Sequence, residues 1–134
     1  MEQERLKRLH SVASLLLRLA VAGIFVPIGV LKFVLYPDEV AFFAEVGVPF
    51  PEIAVIVVGF VEVVAGFAVL VGFLTRVSAV LLGFVMVGAF LTAGPDTLNL
   101  AASVLLVAVV LNGSGEYSAL TEKELYTKLR ETAR

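Results

Sequence analysis

Between Val12 and Leu35 the chain carries no charge except Arg18 and Lys32, and further apolar stretches follow in quick succession up to Leu111. A helix rising about 1.5 Å per residue over such a stretch crosses the roughly 30 Å hydrocarbon layer of a bilayer. Repeated along a short chain, stretches of this kind leave too little polar surface to face water. The composition agrees: 60% of residues are hydrophobic, 16% are charged, and the mean hydropathy is +1.01, outside the range of soluble globular domains. Within 134 residues there is room for one compact unit of four apolar runs and for no separate soluble domain. The expected fold class is an all-α membrane protein, a four-transmembrane-helix bundle with short interfacial helices.

The punctuation places the spans. The first is expected over about 12–35, with Pro27 as a point of bending. "YPDEVAFFAEVGVPFPE" then breaks the pattern with prolines, a glycine and acids. Within it, Asp38 to Val46 is expected to form a short interfacial helix that dips Phe42 and Phe43 into lipid and ends at Gly47. Pro51 suits the first turn of a second span over 52–73. The run from Val77 to Leu111 is too long for one crossing and is broken by "AGPD" at Ala93 to Asp96, predicting spans over 77–93 and 97–111. A cytosolic tail helix is expected over 121–133, because Thr121 and Glu124 have the spacing of a capping box and Leu125 and Leu129 share one face. "ERLKRLH" followed by an apolar run imitates a secretory signal, but the run continues past Ala20-Val21-Ala22 and Arg18 interrupts it, so an uncleaved first helix is expected.

Lysine and arginine positions orient the bundle. Arg5, Lys7 and Arg8 precede the first span, Arg76 lies between the second and third, and Lys123, Lys128, Arg130 and Arg134 follow the fourth. The other two loops carry acids alone. Both termini are therefore expected in the cytoplasm of a multi-pass cell-membrane protein. A net charge of −2 with no basic stripe argues against a nucleic-acid partner. Absence of cysteine excludes disulfides, thiol relays and Cys-ligated zinc or iron–sulfur centres. His10, the single histidine, cannot build a metal site alone, so none is expected.

Charges inside the apolar runs are the candidate functional groups, because each costs several kcal/mol (roughly 3 or more) in hydrocarbon unless it turns inward to a partner or water. Gly59, Glu62 and Gly66 fall at i, i+3 and i+7, a face on which a second helix can approach closely. Arg18, Ala22, Phe25, Gly29 and Lys32 form a stripe on the first span, with a cation near each end. Arg18 and Lys32 are both expected to lean toward Glu62. Two roles remain open on these residues: a lock on helix register, or a polar pocket that holds an anionic or carbonyl-bearing small molecule or passes a proton. Arg76 satisfies the positive-inside rule without any site, and Asn99 suits a helix end as well as a ligand.

The segments "LLRLAVAGIF", "GVLKF", "VGVPFP", "VEVVAGFAVLVGFLTR" and "NGSGEYSAL" resemble, in their order and spacing, the DoxX family of small four-helix membrane proteins, over about Ser14 to Leu120. The resemblance matches the family's arginine to Arg18, its Gly-x-x-Lys to Gly29 and Lys32, its small-Pro turn to Gly47 and Pro49, its glutamate to Glu62, its Thr-Arg to Thr75 and Arg76, its Gly-x-Gly turn to Gly113 and Gly115, and a frequent asparagine to Asn99. Ile28 stands where many members have histidine, the third span has none, and Leu98 replaces a frequent lysine, which puts histidine-based proton or metal chemistry in doubt. The family takes its name from the terminal-oxidase system of an acid-loving archaeon, and relatives supply the membrane subunit of thiosulfate:quinone oxidoreductase. The resemblance therefore implies a redox association, with a quinone as the expected cofactor and redox-enzyme subunits as partners. The expected function is binding of a quinone-like molecule by Arg18, Lys32, Glu62, Asn99 and Arg76 as an accessory subunit. Two alternatives stand beside it: a small transporter of an anion or lipophilic compound, working as a homodimer joined through the glycine-bearing faces of the second and third spans, and a membrane anchor for a soluble partner.

Overall fold

A computed structural model of the chain describes residues 1–115 and 122–133. Six helices occur in it: α1 Glu2–Val34, α2 Tyr36–Glu45, α3 Pro51–Val71, α4 Thr75–Thr92, α5 Thr97–Asn112 and α6 Glu122–Thr132. There is no strand among the described residues. The Thr121 half of the expected capping box lies outside them.

The helix ends follow local chemistry. α1 begins at Glu2, ten residues before the apolar run, because its first turns are made of Glu, Gln, Arg, Leu and Lys, all strong helix formers, with Glu2 and Glu4 at the positive end of the dipole. It continues through Pro27 to Val34. Pro37 and Pro51 lie in the first turns of α2 and α3, where the missing N–H costs nothing. α3 closes on Gly72 at φ +81, with Phe73 N–H donating to Ala68 O and Gly72 N–H to Val69 O, the Schellman arrangement that a left-handed residue permits.

α1, α3, α4 and α5 close a ring: α1 packs on α3, α3 on α4, α4 on α5, and α5 back on α1, while α2 packs against α3 and α1. α1, α3 and α4 are long and apolar enough to cross a membrane, and α5 is a shorter apolar helix of 16 residues, about 24 Å long. The ring encloses Val21, Phe25, Ala65, Val69, Ala79, Leu82, Met86, Ala102, Leu106 and Val109. Larger apolar side chains such as Phe60, Phe67, Phe84, Val104 and Leu111 stand outward. This distribution, with Arg18, Lys32 and Glu62 buried inside and bulky apolar groups exposed outside, is that of an all-α membrane protein whose solvent is lipid.

Candidate functional site

Glycine brings α1 and α3 together. A Cβ on Gly29 would lie 2.8 Å from Val63 Cγ2 and 2.9 Å from both Glu62 Cβ and Gly59 O, and one on Gly59 would lie 3.1 Å from the Phe33 ring. The two backbones therefore touch at the level of Glu62. One turn beyond Gly29 on α1, Lys32 reaches back along this seam, and its Nζ lies 3.2 Å from Glu62 Oε2 and 3.8 Å from Glu39 Oε2 on α2. Lys32 is 8% exposed and Glu62 3%, so the pair is inside the bundle while Glu39 is part-exposed at its rim. Apart from the Lys32 ammonium at 3.2 Å, Glu62 Oε2 has no polar partner among the described residues, which leaves that buried oxygen with acceptor capacity in hand. The site holds two carboxylates and one ammonium, a net negative charge with the groups ionised.

Arg18 does not join it. Its Nη1 donates to Ser114 O at 2.6 Å and its Nη2 to Leu70 O at 3.1 Å. Leu70 lies eight residues beyond Glu62 on α3, about 12 Å along the axis. Only 2% exposed, the guanidinium ties α1 to the last turn of α3 and to the turn after α5. A planar fork with five donors suits such carbonyl bridging better than a lysine would, and α3's C-terminal carbonyls carry the negative end of its dipole. Ser14 Oγ donates to Gly113 O in the same turn. Gly115 sits so close that a Cβ there would meet Ser14 Oγ at 2.9 Å. The exposed Arg76 lays its guanidinium over Gly113, 3.3 Å from where a Cβ would stand. Ser11, Thr75 and Ser78 are buried nearby in the chain order of these elements.

The expected cluster thus divides. Lys32 and Glu62 meet, whereas Arg18 and Arg76 gather at the opposite end of the bundle around the Gly113–Gly115 turn. Asn99 belongs to neither group: its backbone N–H donates to Asp96 Oδ1 at 2.9 Å and its Nδ2 to Asp96 Oδ2 at 2.8 Å, capping the start of α5. The expectation that Arg18 would lean on Glu62 fails because main-chain carbonyls, invisible to a search for charge partners, lie nearer. Glu39 was missed for another reason. It is one of several acids in a polar segment, and the only signal that could single it out is its distance of seven residues from Lys32, across the helix break at Leu35. Of the two glycine-bearing faces, the one on α3 receives the close helix approach expected of it and is therefore not free for a dimer. Gly59 and Gly66 on α3 are filled by α1, while Gly83 and Gly88 on α4 have open space around them.

Comparison with known proteins agrees with the architecture. The DoxX family model matches residues 13–95. The inner membrane protein YphA of Escherichia coli is 30% identical over 120 residues, covering 77% of this chain and 86% of YphA. An uncharacterized membrane protein of Mycobacterium tuberculosis, Rv3486, is 43% identical over 75 residues, 54% of this chain. The matched part spans 45% of the Mycobacterium protein's length. No solved structure matches the chain.

Proposed function

The chain belongs to the DoxX family of integral membrane proteins, and from that premise we propose that it binds a quinone-like carbonyl compound against the Lys32–Glu62 pair, as an accessory subunit of a membrane redox system. The observation that carries this is the buried pair: an ammonium 3.2 Å from a carboxylate oxygen that has no further hydrogen-bond partner among the described residues. Lys32 can donate to a carbonyl oxygen, and Glu62 Oε2 can accept from a hydroxyl, so the two residues fit both the oxidised and the reduced form of such a compound. An anion suits the site less well, since Glu39 and Glu62 together outnumber the one cation. Contact between α1 and α3 at Gly29 closes the seam itself, which leaves approach from the side of α2 and Glu39. Without cysteine or a second histidine the chain offers few ligands for a redox centre, and electrons must come from a partner subunit.

The setting proposed is the cell membrane, with both termini in the cytoplasm. YphA's designation as an inner membrane protein supports the membrane, and the cations at the α1 start and in α6 support the orientation. The test is mass spectrometry of the organic extract of protein purified in mild detergent. A stoichiometric quinone or related carbonyl lipid, reduced at least tenfold by Glu62→Gln in a protein that remains monodisperse, is the expected result; equal amounts in both would remove the ligand from this site.

A second function is favoured by one observation: polar groups occupy both ends of the α1–α3 seam, Lys32–Glu62 at one and Arg18 with Ser14 at the other, with Val21, Phe25, Ala65 and Val69 buried between. That is the layout of a closed path for a small polar solute. Proteoliposome flux that depends on Glu62 would favour transport over binding.

A further inference from the structure

The helix after the bundle has an order of its own. On α6, Leu125, Tyr126, Leu129 and the following Ala133 fall on one side at i, i+1, i+4 and i+8. Lys128 borders this side on one flank, Lys123 and Arg130 on the other, and Glu124 and Glu131 fall at the opposite pole. Tyr126 is 71% exposed and Leu129 59%, and α6 makes no packing contact with another helix among the described residues. The threonine hydroxyls on α6 are spent internally: Thr127 Oγ1 donates to Lys123 O at 2.8 Å and Thr132 Oγ1 to Lys128 O at 2.9 Å. Thr132, which borders Leu125, therefore brings no unsatisfied donor to an apolar surface.

Chain length limits where this helix can be. Gly113 to Gly115 are fixed to Ser14 and Arg18 at the inner face of α1, and seven residue steps from Gly115 to Glu122 span at most about 25 Å. α6 thus starts close to the bundle end that also bears the exposed Arg5, Lys7 and Arg8. Confinement of this kind keeps an amphipathic segment at high effective concentration beside the bilayer.

We infer that α6 is an amphipathic surface anchor for an anionic phospholipid bilayer, with Leu125, Tyr126 and Leu129 entering the acyl boundary and Lys123, Lys128 and Arg130 meeting the headgroups. Cations at both edges of an apolar face with acids turned away are the arrangement such a surface selects. A helix this short does not hold to lipid by apolar area alone, and its cations supply lipid selectivity. This inference is independent of the Lys32–Glu62 site.

The chain has no tryptophan, so Tyr126→Trp gives a single reporter. The full chain carrying it is placed in nanodiscs of phosphatidylcholine, with or without about a third phosphatidylglycerol, together with lipids brominated along the acyl chain. Expected is a blue-shifted emission quenched by bromolipid in the anionic discs, and a bound-to-free ratio that falls at least about fivefold for each cation reversed in Lys123→Glu, Lys128→Glu and Arg130→Glu. Leu125→Asp with Leu129→Asp returns the emission to that of water-exposed tryptophan. Emission at the water value in every disc would overturn the anchor; so would a shielded tryptophan that bromolipid does not quench, which means packing on protein. Quenching equal in both lipids and unmoved by charge reversal would overturn the anionic selectivity.

Discussion

Lys32 and Glu62 lie in the interior of a protein whose exterior is lipid, and the loss of Lys32 is the costlier of the two, because Lys32 keeps Glu39 at 3.8 Å when Glu62 is changed whereas Glu62 has Lys32 as its ion-pair partner among the described residues. Removing one leaves a buried uncompensated charge, which costs about 3–5 kcal/mol, whereas replacing both by apolar groups of similar size is often neutral. Lys32→Met alone is therefore expected to destabilise the detergent-solubilised bundle severely, and Lys32→Met with Glu62→Leu to restore most of the loss, read as the temperature at which the monodisperse peak collapses. A double variant as unstable as the single one would mean that Glu62 has another partner. The same pair separates stability from binding, because the restored double variant should still lack the extractable ligand. Much of this was legible from residues alone: a charge within an apolar run must turn inward, and Gly59, Glu62 and Gly66 share the face that turns. Arg18 was legible only as buried. Two of its acceptors are the carbonyls of Leu70 and Ser114, groups that every residue possesses and that no side-chain pattern singles out.

Among the elements, the α1–α3 seam is the closest contact and the least forgiving. Gly29→Ala places a methyl 2.8 Å from Val63 Cγ2 and 2.9 Å from Gly59 O, and the last is backbone that cannot step aside. Overpacking of this order costs about 1–3 kcal/mol, more than the roughly 1 kcal/mol alanine contributes through helix propensity. Gly23, two turns earlier on the same helix, has nothing within 4 Å of a Cβ. Gly23→Ala should then hold or raise thermal stability while Gly29→Ala lowers it, and the Gly29 variant should also lose extractable ligand as Lys32 and Glu62 separate. Equal effects of the two would show that α1 slides to accommodate the methyl. The apolar criterion places the spans well and the helix ends less well, because it detects where lipid begins rather than where helix begins. The ten residues before Val12 satisfy helix propensity and fail hydropathy, which is why α1 starts at Glu2.

For the whole molecule, alternation of α1, α3, α4 and α5 returns the chain to the face from which it started, as the Ser14–Gly113 hydrogen bond requires. Absence of cysteine makes the sidedness directly measurable. In intact cells a membrane-impermeant maleimide should label Phe50→Cys, 75% exposed between α2 and α3, and should reach Tyr126→Cys only after lysis. The reverse pattern would invert the protein and bring Glu39 and Lys32 to the cytoplasmic surface. Closure of the ring also orders events during synthesis. Arg18 enters the membrane with the first helix, yet the carbonyls that receive its guanidinium are made 52 and 96 residues later. Until the ribosome has passed Ser114 the nascent first helix carries a charge with a final acceptor still unwritten, so the turn after the last span completes the burial of a charge that entered with the first.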